Sequence, residues 1–331
     1  MLKTTSKATA TSPADLPEIL PVDDPAGRRF VRTIVQLHRT LSFRRMPDAM
    51  AGPPLCRLDS LGDGLTTLCM RESQLPERYL RGLMGFRLAQ FLQMGWMDPM
   101  LAYRRALFHE PVARSSGPET IHTVTLTETG RIVGYLALTG TTDPEPLPLD
   151  SPRRARFPAE VAHHVDLVTG FAAACRDTHQ VYELKRFVRD LAMEPGPQRD
   201  RVPWHLILCL GRTVGAAGDD IQVLLGDSRE NGALRHLRMI GFDPLVVEDT
   251  APSLPRTELM WPSYEQPKLA KPFIAEVPAE LGEYMDVIAA GLALPPGGDW
   301  RATALAPLAR LLRETRRRSR TSERSDDDRH S

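Results

Sequence analysis

The stretch from 121 to 139 constrains the fold most, because two β-strand patterns stand there on either side of a turn. IHTVTLTE (121–128) and RIVGYLALT (131–139) are rich in β-branched residues, and Thr129 and Gly130 lie between them. Such a pair of runs around a short glycine-containing turn predicts a β-hairpin. The body of the chain therefore contains a sheet and is not purely helical.

The segments after the hairpin alternate between helical and strand patterns. A helical face is predicted from Val161 to Cys175, and a helix over 230–242 ends at Gly241, a residue typical of helix C-termini. The other predicted helices cover 76–94, 203–217 and 278–292, and the other predicted strands cover 181–190, 221–227, 245–249 and 256–261. This order predicts an α/β fold with one mixed sheet of roughly six or seven strands over about 76–265.

Composition narrows the class of protein. The 331 residues contain 42 Lys and Arg against 42 Asp and Glu, so the formal net charge is zero, which argues against a chain built as a whole for nucleic acid. No apolar run approaches the roughly 18 residues of a membrane span, and the N-terminus has no apolar signal region. The four cysteines are widely separated, with no zinc-binding spacing. We expect a cytoplasmic protein with reduced thiols, no metal and no membrane contact.

The chain is predicted to consist of a folded body with a disordered segment at each end. Residues 1–24 are expected to be disordered, 25–75 to form an N-terminal helix and a loop, 76–295 to form the main domain, and 310–331 to be a disordered arginine-rich tail. The basic helix predicted at 28–45 either packs on the body or contacts an acidic partner. The tail is either a solvated extension or a weak binder of phosphate, on RNA or on a phosphopantetheine carrier.

Familiar catalytic motifs are absent from the sequence. It has no phosphate-binding P-loop, no dinucleotide fingerprint, no nucleophile elbow and no HExxH zinc motif. His163 and His164 are adjacent, which favours a surface pair on a helix over a pocket. Cys175 and Cys209 lie within apolar patterns, which favours buried structural thiols over a nucleophile.

The order of the elements resembles the GCN5-related N-acetyltransferase (GNAT) superfamily. In that superfamily a hairpin, a helix, a polar strand, a helix and a strand precede a helix that begins near Asn and ends in Gly-Phe. Here NGALRHLRMIGF (231–242) supplies Asn231, Gly241 and Phe242. The resemblance implies a GNAT-like acyl-CoA N-acyltransferase fold.

Two further segments resemble the acyl-homoserine lactone synthase branch of this fold. RLAQFLQMGW supplies the Arg, Phe and Gly-Trp of the first motif, and VYELKRFV resembles the strand motif Glu-Leu-Ser-Arg-Phe with Lys185 in place of Ser. The matching residues are Arg87, Phe91, Gly95, Trp96, Glu183, Leu184, Arg186 and Phe187. This resemblance implies acyl transfer from an activated donor.

Departures from that branch argue against lactone synthesis. The synthases place an acidic run after the Trp to bind S-adenosylmethionine, and no such run follows Trp96. Their hairpin carries an Arg before a Leu, where this chain has Ala137 before Leu138. The glycine-rich pyrophosphate loop is also missing, because residues 191–203 contain Gly196 alone among glycines and three prolines that lack N–H donors. A different acceptor is implied.

Charge could replace the missing phosphate loop. Arg199 and Arg201 follow the strand of the second motif, and we expect them, with Asn231, to bind the donor. Two arginines would suit coenzyme A, the single phosphate of a carrier-protein arm, or tRNA phosphates.

Acyl transfer needs a base for the acceptor, and Glu183 is the best candidate because a carboxylate in a partly apolar cleft is a better base near neutral pH. Arg186 is a second candidate, although strict alternation puts it on the opposite face of the strand unless a bulge intervenes. Tyr182 is a candidate acid by its chemistry. Phe91 and Trp96 either line an acyl pocket or belong to the core.

Three functions remain open at this point. The first is an acyltransferase in natural-product biosynthesis, such as antibiotic production, which moves an acyl group to an amine or hydroxyl of a small molecule. Its donor would be an acyl thioester on a carrier protein or on coenzyme A, with the carrier protein favoured and with no tightly bound cofactor. The second is an aminoacyl-tRNA-dependent transferase, favoured by the basic helix and tail but not by the zero net charge. The third is a non-catalytic binding or regulatory protein on the same fold.

Overall fold

A computed structural model describes residues 25–112, 116–171, 176–265, 270–295 and 299–327. Within these ranges, the side chains of Arg186, Asn231, Trp300, Arg301 and residues 316–327 are not described. The disorder predicted for residues 1–24 falls outside the described residues, as do residues 328–331 of the tail.

One mixed sheet forms the centre of the molecule. In the part of the chain that the structure describes, it has eight strands in the order β1-β2-β3-β4-β5-β6-β8-β7. They are β1 Cys56–Leu58, β2 Leu65–Arg71, β3 Ile121–Thr127, β4 Ile132–Thr139, β5 Val181–Arg189, β6 Val223–Ser228, β7 Leu245–Val246 and β8 Lys271–Glu276. All neighbours are antiparallel except β5 and β6, which are parallel. The predicted mixed sheet is confirmed.

The hairpin predicted at 121–139 is β3 and β4. Ile121 pairs with Leu138, and the ladder continues towards a turn in which Gly130 has a φ of +80°. Only glycine adopts this left-handed conformation without strain, which explains why the turn could be located from the sequence.

Helices cover both faces of the sheet. They are α1 Pro25–Thr40, α2 Met46–Ala49, α3 Glu77–Gln93, α4 Pro99–Arg104, α5 Pro158–His163, α6 Pro197–Ala217, α7 Arg235–Met239, α8 Trp261–Tyr264, α9 Leu281–Leu292 and α10 Trp300–Asp327. Helix α6 packs on β1 to β4, with α9 against α6 and α10 against α9. Helices α1 and α3 cover the opposite face, and α5 packs on β6 and β8.

Alternation along the strands divides the core between the two faces. In β4, Leu136 and Leu138 join the core beneath α6, whereas Tyr135 and Ala137 join the core beneath α3. Because successive side chains point to opposite faces, each β5 side chain likewise lies either in the core beneath α6 or on the opposite face of the sheet. This division decides which candidate residues can share a site.

The order of the elements matches the order that the GNAT resemblance implies. Hairpin β3–β4 is followed by α5, β5, α6 and β6, and the next helical segment ends at Gly241 and Phe242. The predicted α/β fold class and the predicted order of its elements are therefore confirmed.

Several boundaries differ from the predictions. The sheet begins at Cys56, within the segment 25–75 that was expected to hold a helix and a loop, and it ends with β8 rather than with a strand at 256–261. Both faces of β2 are covered, so its residues are nearly all buried and show no alternation to mark a strand. Helix α5 ends at His163, because His164 takes a left-handed conformation with a φ of +55°.

The arginine-rich tail also differs from its prediction. Helix α10 runs from Trp300 to Asp327, so the segment from 310 that was expected to be disordered continues a helix. Ala304 and Leu308 on its first turns are buried against α9, and the following Arg and Glu residues are good helix formers. None of the described helices has a stretch long and apolar enough to span a bilayer.

Candidate functional site

Strands β5 and β6 diverge in the middle of the sheet. Their ladder holds three residue pairs and ends where Glu183 pairs with Leu225. Beyond that point β5 continues along β4 to Arg189, and β6 continues along β8 to Ser228. The two strands therefore leave a wedge-shaped opening at their C-terminal ends, which we call the splay. A Cβ on Gly226 would lie 2.9 Å from the carbonyl oxygen of Leu184, so only glycine fits here. The start of the splay is therefore lined by backbone atoms rather than by a side chain at position 226.

A β-bulge lies in β5 beside the splay. Ala137 pairs with Lys185 and Tyr135 pairs with Val188, so two residues of β5 oppose Leu136 alone. A bulge of this kind reverses the alternation of side chains beyond it. The bulge falls at Arg186, and a bulge at this position is what Arg186 needs in order to share a site with Glu183. The Arg186 side chain itself lies outside the described residues.

An apolar pocket opens on the α6 side of the splay. The space between its walls is about 450 Å³, a figure that includes open solvent at the mouth. Its walls come from β4, β5, β6, α6, α9 and the segment around α7. They are Leu136, Leu184, Phe187, Ile207, Leu210, Gly211, Val214, Leu224, Ala233, His236, Leu237, Ile240, Phe242 and Leu281. Among these lining residues, His236 alone carries a polar side chain.

A polar cluster lies on the other face of the same splay. Glu183 is buried, and its Oε2 lies 3.2 Å from the Nζ of Lys185, two residues further along β5. On β6, the Oδ2 of Asp227 accepts a hydrogen bond of 2.7 Å from the Tyr264 hydroxyl and lies 3.3 Å from the Nε2 of His163. We call these five residues the polar cluster. It brings two carboxylates and a lysine to the opening.

The Asp227 carboxylate is held in its charged form. Burial alone would raise its pKa, but hydrogen bonds from His163 and Tyr264 and the nearby charge of Lys185 outweigh burial and leave the pKa below its ordinary value. The Asp227 side chain is 23% exposed, so its charge remains accessible from the splay.

His163 is fixed in place by a buried ion pair at the start of α5. Arg154 donates two hydrogen bonds of 2.8 Å to the two oxygens of Glu160, which is fully buried. Glu160 also accepts from the backbone N–H groups of Phe157 and Leu167 and so joins α5 to the loop that follows. The Nδ1 of His163 lies 2.8 Å from the Thr250 hydroxyl, which completes the positioning of the ring.

Tyr182 does not share the polar cluster with Glu183. It lies on the α6 face, in the same core as Leu184, and burial raises the pKa of its hydroxyl. Tyr182 and Glu183 therefore point to opposite faces of β5, as adjacent strand residues do, and the role of Tyr182 as an acid stays a prediction.

The two aromatic candidates have different positions. Phe91 is buried in the core beneath α3, with its ring centroid 5.5 Å from that of Trp96. Trp96 is half-buried, and the Arg229 guanidinium lies 5.4 Å from its ring centroid, just beyond the end of β6. Trp96 thus lies towards the open end of the splay, whereas Phe91 lies in the core and does not line the apolar pocket.

Arg201 does not face the splay. It is fully buried and lies 3.3 Å from Asp63, and it donates to the backbone carbonyls after α9. The accepting carbonyls are those of Leu292, Leu294 and Pro295. This correction removes Arg201 as a donor-binding residue, since its guanidinium is occupied inside the protein.

Arg199 is half-exposed at the start of α6 and donates to the Met193 carbonyl at 3.1 Å. Arg189 donates to the Arg199 carbonyl, and the pKa of Arg189 is lowered by burial and by the Arg199 charge. Two cations therefore lie together where β5 leads into α6. The Asn231 side chain lies outside the described residues.

Sequence reasoning missed His163, Asp227, Tyr264 and His236. The first three lie on α5, β6 and α8, and only the folded sheet brings them together. The adjacent histidines at 163 and 164 were the one visible signal, and they were interpreted as a surface pair. Within the described ranges, no group of three or more His, Cys, Asp or Glu side chains is placed to hold a metal ion.

Neither a protein-family profile nor a curated protein sequence matches this chain. Solved structures do resemble it. TofI, in a ternary complex with an inhibitor and MTA, is 17% identical, with a TM-score of 0.38 over 66% of this chain and 96% of TofI. The CoA-dependent acyl-homoserine lactone synthase BjaI, with MTA, is 18% identical, with a TM-score of 0.40 over 69% and 89% of the two chains.

An acetyltransferase of the GNAT family from Staphylococcus aureus Mu50 is 10% identical, with a TM-score of 0.34 over 64% of this chain and 99% of the acetyltransferase. At these identities the likeness concerns the fold alone.

Proposed function

We propose that this protein is an acyltransferase that works at the splay between β5 and β6. The observation that carries the proposal is that an apolar pocket and a carboxylate–lysine pair lie on opposite faces of one opening. The acyl chain of a thioester would occupy the pocket, its carbonyl carbon would lie at the splay, and the amine or hydroxyl acceptor would approach from the polar cluster.

The open edges of the strands supply the means to hold the donor. The ladder between β5 and β6 ends at Glu183, so the next stretch of β5 backbone faces the opening rather than a neighbouring strand. An extended pantetheine arm can pair with such an edge in the manner of an added strand. This places the thioester between the two faces.

The reaction then needs one proton transfer and one leaving group. Glu183 takes the proton from the acceptor as its nitrogen or oxygen attacks the thioester carbonyl. The tetrahedral intermediate collapses with cleavage of the carbon–sulfur bond, and the thiolate leaves with the electron pair. Lys185, beside Glu183, keeps the carboxylate oriented before the proton is taken.

A thioester on a carrier protein is the donor favoured by the segment between β5 and α6. This segment has one glycine and begins α6 with Pro197, so it offers few backbone N–H groups to a diphosphate. Arg189 and Arg199 offer charge instead, which suits the single phosphate of a carrier arm. A natural-product pathway would supply such a donor.

An aminoacyl-tRNA donor is the second candidate. The observation that favours it is the exposure of Arg29 and Arg32 on α1, a helix whose other face is buried against α3. A basic helix of this kind can contact phosphates.

Thermal shifts with octanoyl-pantetheine, octanoyl-coenzyme A, an octanoyl carrier protein and charged tRNA test the proposal. A ligand at 100 times its Kd stabilises a protein by about 2.7 kcal/mol, which for a chain of 331 residues is a rise in Tm of roughly 4 °C. We expect this shift with the octanoyl thioesters and a smaller one with acetyl-pantetheine, because the acetyl group leaves the pocket empty.

Ala233→Phe serves as the blocked variant, because Ala233 lines the pocket and a phenyl ring would fill it. Ala302→Phe is the matched control, since Ala302 is exposed on α10. The octanoyl shift should disappear in the first variant and persist in the second. A shift with charged tRNA alone would favour the second candidate, and no shift with any donor would favour a non-catalytic protein.

A further inference from the structure

Among the described residues that line the apolar pocket, His236 is the one with a polar side chain. It is half-buried, and its ring packs edge-on against two aromatic rings, with centroid distances of 5.1 Å to Phe187 and 5.6 Å to Trp204. These contacts fix the plane of the imidazole at the side of the pocket where β5 and α6 meet α7.

One hydrogen bond decides which ring nitrogen carries the proton. The Nδ1 of His236 lies 3.0 Å from the carbonyl oxygen of Gly232. A carbonyl only accepts hydrogen bonds, so Nδ1 carries the hydrogen, and in neutral histidine Nε2 then presents a lone pair. Nε2 makes no hydrogen bond to any side chain that the structure describes.

The backbone is kinked just before α7. Within Glu230–Leu234, Gly232 has a non-helical φ of −96° and ψ of −131°. A Cβ at Gly232 would lie 2.7 Å from the Ser228 hydroxyl oxygen, so the kink brings the backbone close to β6. The Gly232 carbonyl that accepts from His236 therefore belongs to a sharply turned and closely packed segment.

The pKa of His236 lies below its ordinary value. Burial lowers it most, the hydrogen bond to Gly232 opposes that effect, and the Arg235 charge lowers it further. The imidazole is therefore neutral near pH 7, and its Nε2 is an acceptor.

From this geometry we infer that the pocket selects acyl chains that carry a hydroxyl group, with the His236 Nε2 accepting the hydroxyl proton. The inference rests on the proposed function and specifies its donor. A plain alkyl chain would strip water from Nε2 without replacing the hydrogen bond, and an oxo group would set two lone pairs against each other. A hydroxyl group satisfies the acceptor, and a site built around such a bond binds chains that lack it more weakly.

Binding of octanoyl-pantetheine and of its 2-, 3- and 4-hydroxy and 3-oxo derivatives tests this inference by calorimetry. One hydroxy isomer should bind about tenfold more tightly than octanoyl-pantetheine, which is the ordinary gain from satisfying a buried acceptor. The preference should be confined to one position, because the ring of His236 is fixed.

Two variants separate the hydrogen bond from packing. His236→Phe keeps an aromatic ring against Phe187 and Trp204 but has no acceptor, so it should bind the hydroxy and plain chains equally. His236→Gln restores an acceptor oxygen and should recover part of the preference. If the wild type binds all chains alike, or His236→Phe keeps the preference, the inference is wrong while the proposed function stands. If no thioester binds any of the three proteins, the proposed function itself fails.

Discussion

Asp63 lies in a buried ionic cluster that joins the loop between β1 and β2 to α6. Its Oδ2 accepts a hydrogen bond of 2.8 Å from the His205 Nε2 and lies 3.3 Å from Arg201. The Asp63 side chain is 1% exposed, and both partners are fully buried. We predict that Asp63→Asn, which keeps the shape but removes the charge, destabilises the protein.

The loss of stability depends on which hydrogen bonds Arg201 retains in the variant. Removing one partner of a buried pair costs roughly 3–5 kcal/mol, because the other charge is left uncompensated. Arg201 still donates to three carbonyls after α9, so we expect the lower end, about 3 kcal/mol. At roughly 1.4 °C per kcal/mol for a chain of 331 residues, Tm should fall by about 4 °C.

The stability lost in Asp63→Asn should depend on pH, and the direction of that dependence follows from the pKa of Asp63. Burial alone would raise the pKa of Asp63, but hydrogen bonds from His205, the Leu65 backbone and Arg201 leave it below its ordinary value. A carboxyl whose pKa is lowered by folding stabilises the protein above its unfolded pKa of about 3.9, and this contribution is lost as the pH falls through the folded value. The deficit of Asp63→Asn should therefore be constant from pH 7 to about 5 and shrink below about 4.

Differential scanning calorimetry of wild type and variant across this range measures both effects. Asp59→Asn is the matched control, because Asp59 is 71% exposed beside Arg57 and its surface pair should contribute little. A variant that melts with the wild type at pH 7, or a deficit that persists unchanged at pH 3, would refute the reasoning.

Three further predictions concern the base, the end of α7 and the basic helix. Glu183→Gln should lower kcat roughly 10²–10⁴-fold in a thiol-release assay, with little change in Tm. The control Glu145→Gln, at an exposed position, should match the wild type. Unchanged turnover in Glu183→Gln would show that Glu183 has a structural role. Gly241→Ala should lower the free energy of unfolding in denaturant by roughly 2–5 kcal/mol, because φ at Gly241 is +91° and a Cβ would lie 2.1 Å from the buried Tyr284 ring. The control Gly52→Ala has a similar φ of +84° but open space around the new Cβ, so it should lower the free energy of unfolding by only about 1–2 kcal/mol. Replacing three arginines of α1 by Ala should leave thioester turnover unchanged, but if charged tRNA is the donor, the log–log salt slope of binding should flatten by about one unit per lost phosphate contact. These arginines are Arg28, Arg29 and Arg32.

The parts of the fold that the sequence predicted are those with strong local signals. The hairpin at 121–139 has β-branched runs around a glycine turn, and Gly241 marks a helix end that the structure retains. Strand β8, Lys271–Glu276, was missed because its four buried residues stand between charged ends and include Pro272. Its place in the sheet depends on pairing with β6, which no local pattern encodes.

The site was predictable only in part. Glu183 was identified through a strand motif, and the structure places it at the splay. Arg201 was assigned to the donor because arginines bind phosphate, but its burial follows from contacts with the loop carrying Asp63 and with the end of α9. Proximities between residues so distant in sequence arise from tertiary packing, as does that of His163 to Asp227.

The short ladder at the splay also determines how the sheet moves. The β2–β3 ladder joins seven residue pairs and the β6–β8 ladder joins six, whereas β5 and β6 share three. Among the interior strands, separation at this seam breaks the fewest backbone hydrogen bonds, so we expect local opening of the sheet to begin there. If the two halves of the sheet separate at this seam, the three pairs from Val181–Val223 to Glu183–Leu225 are the ones that break, and the splay widens.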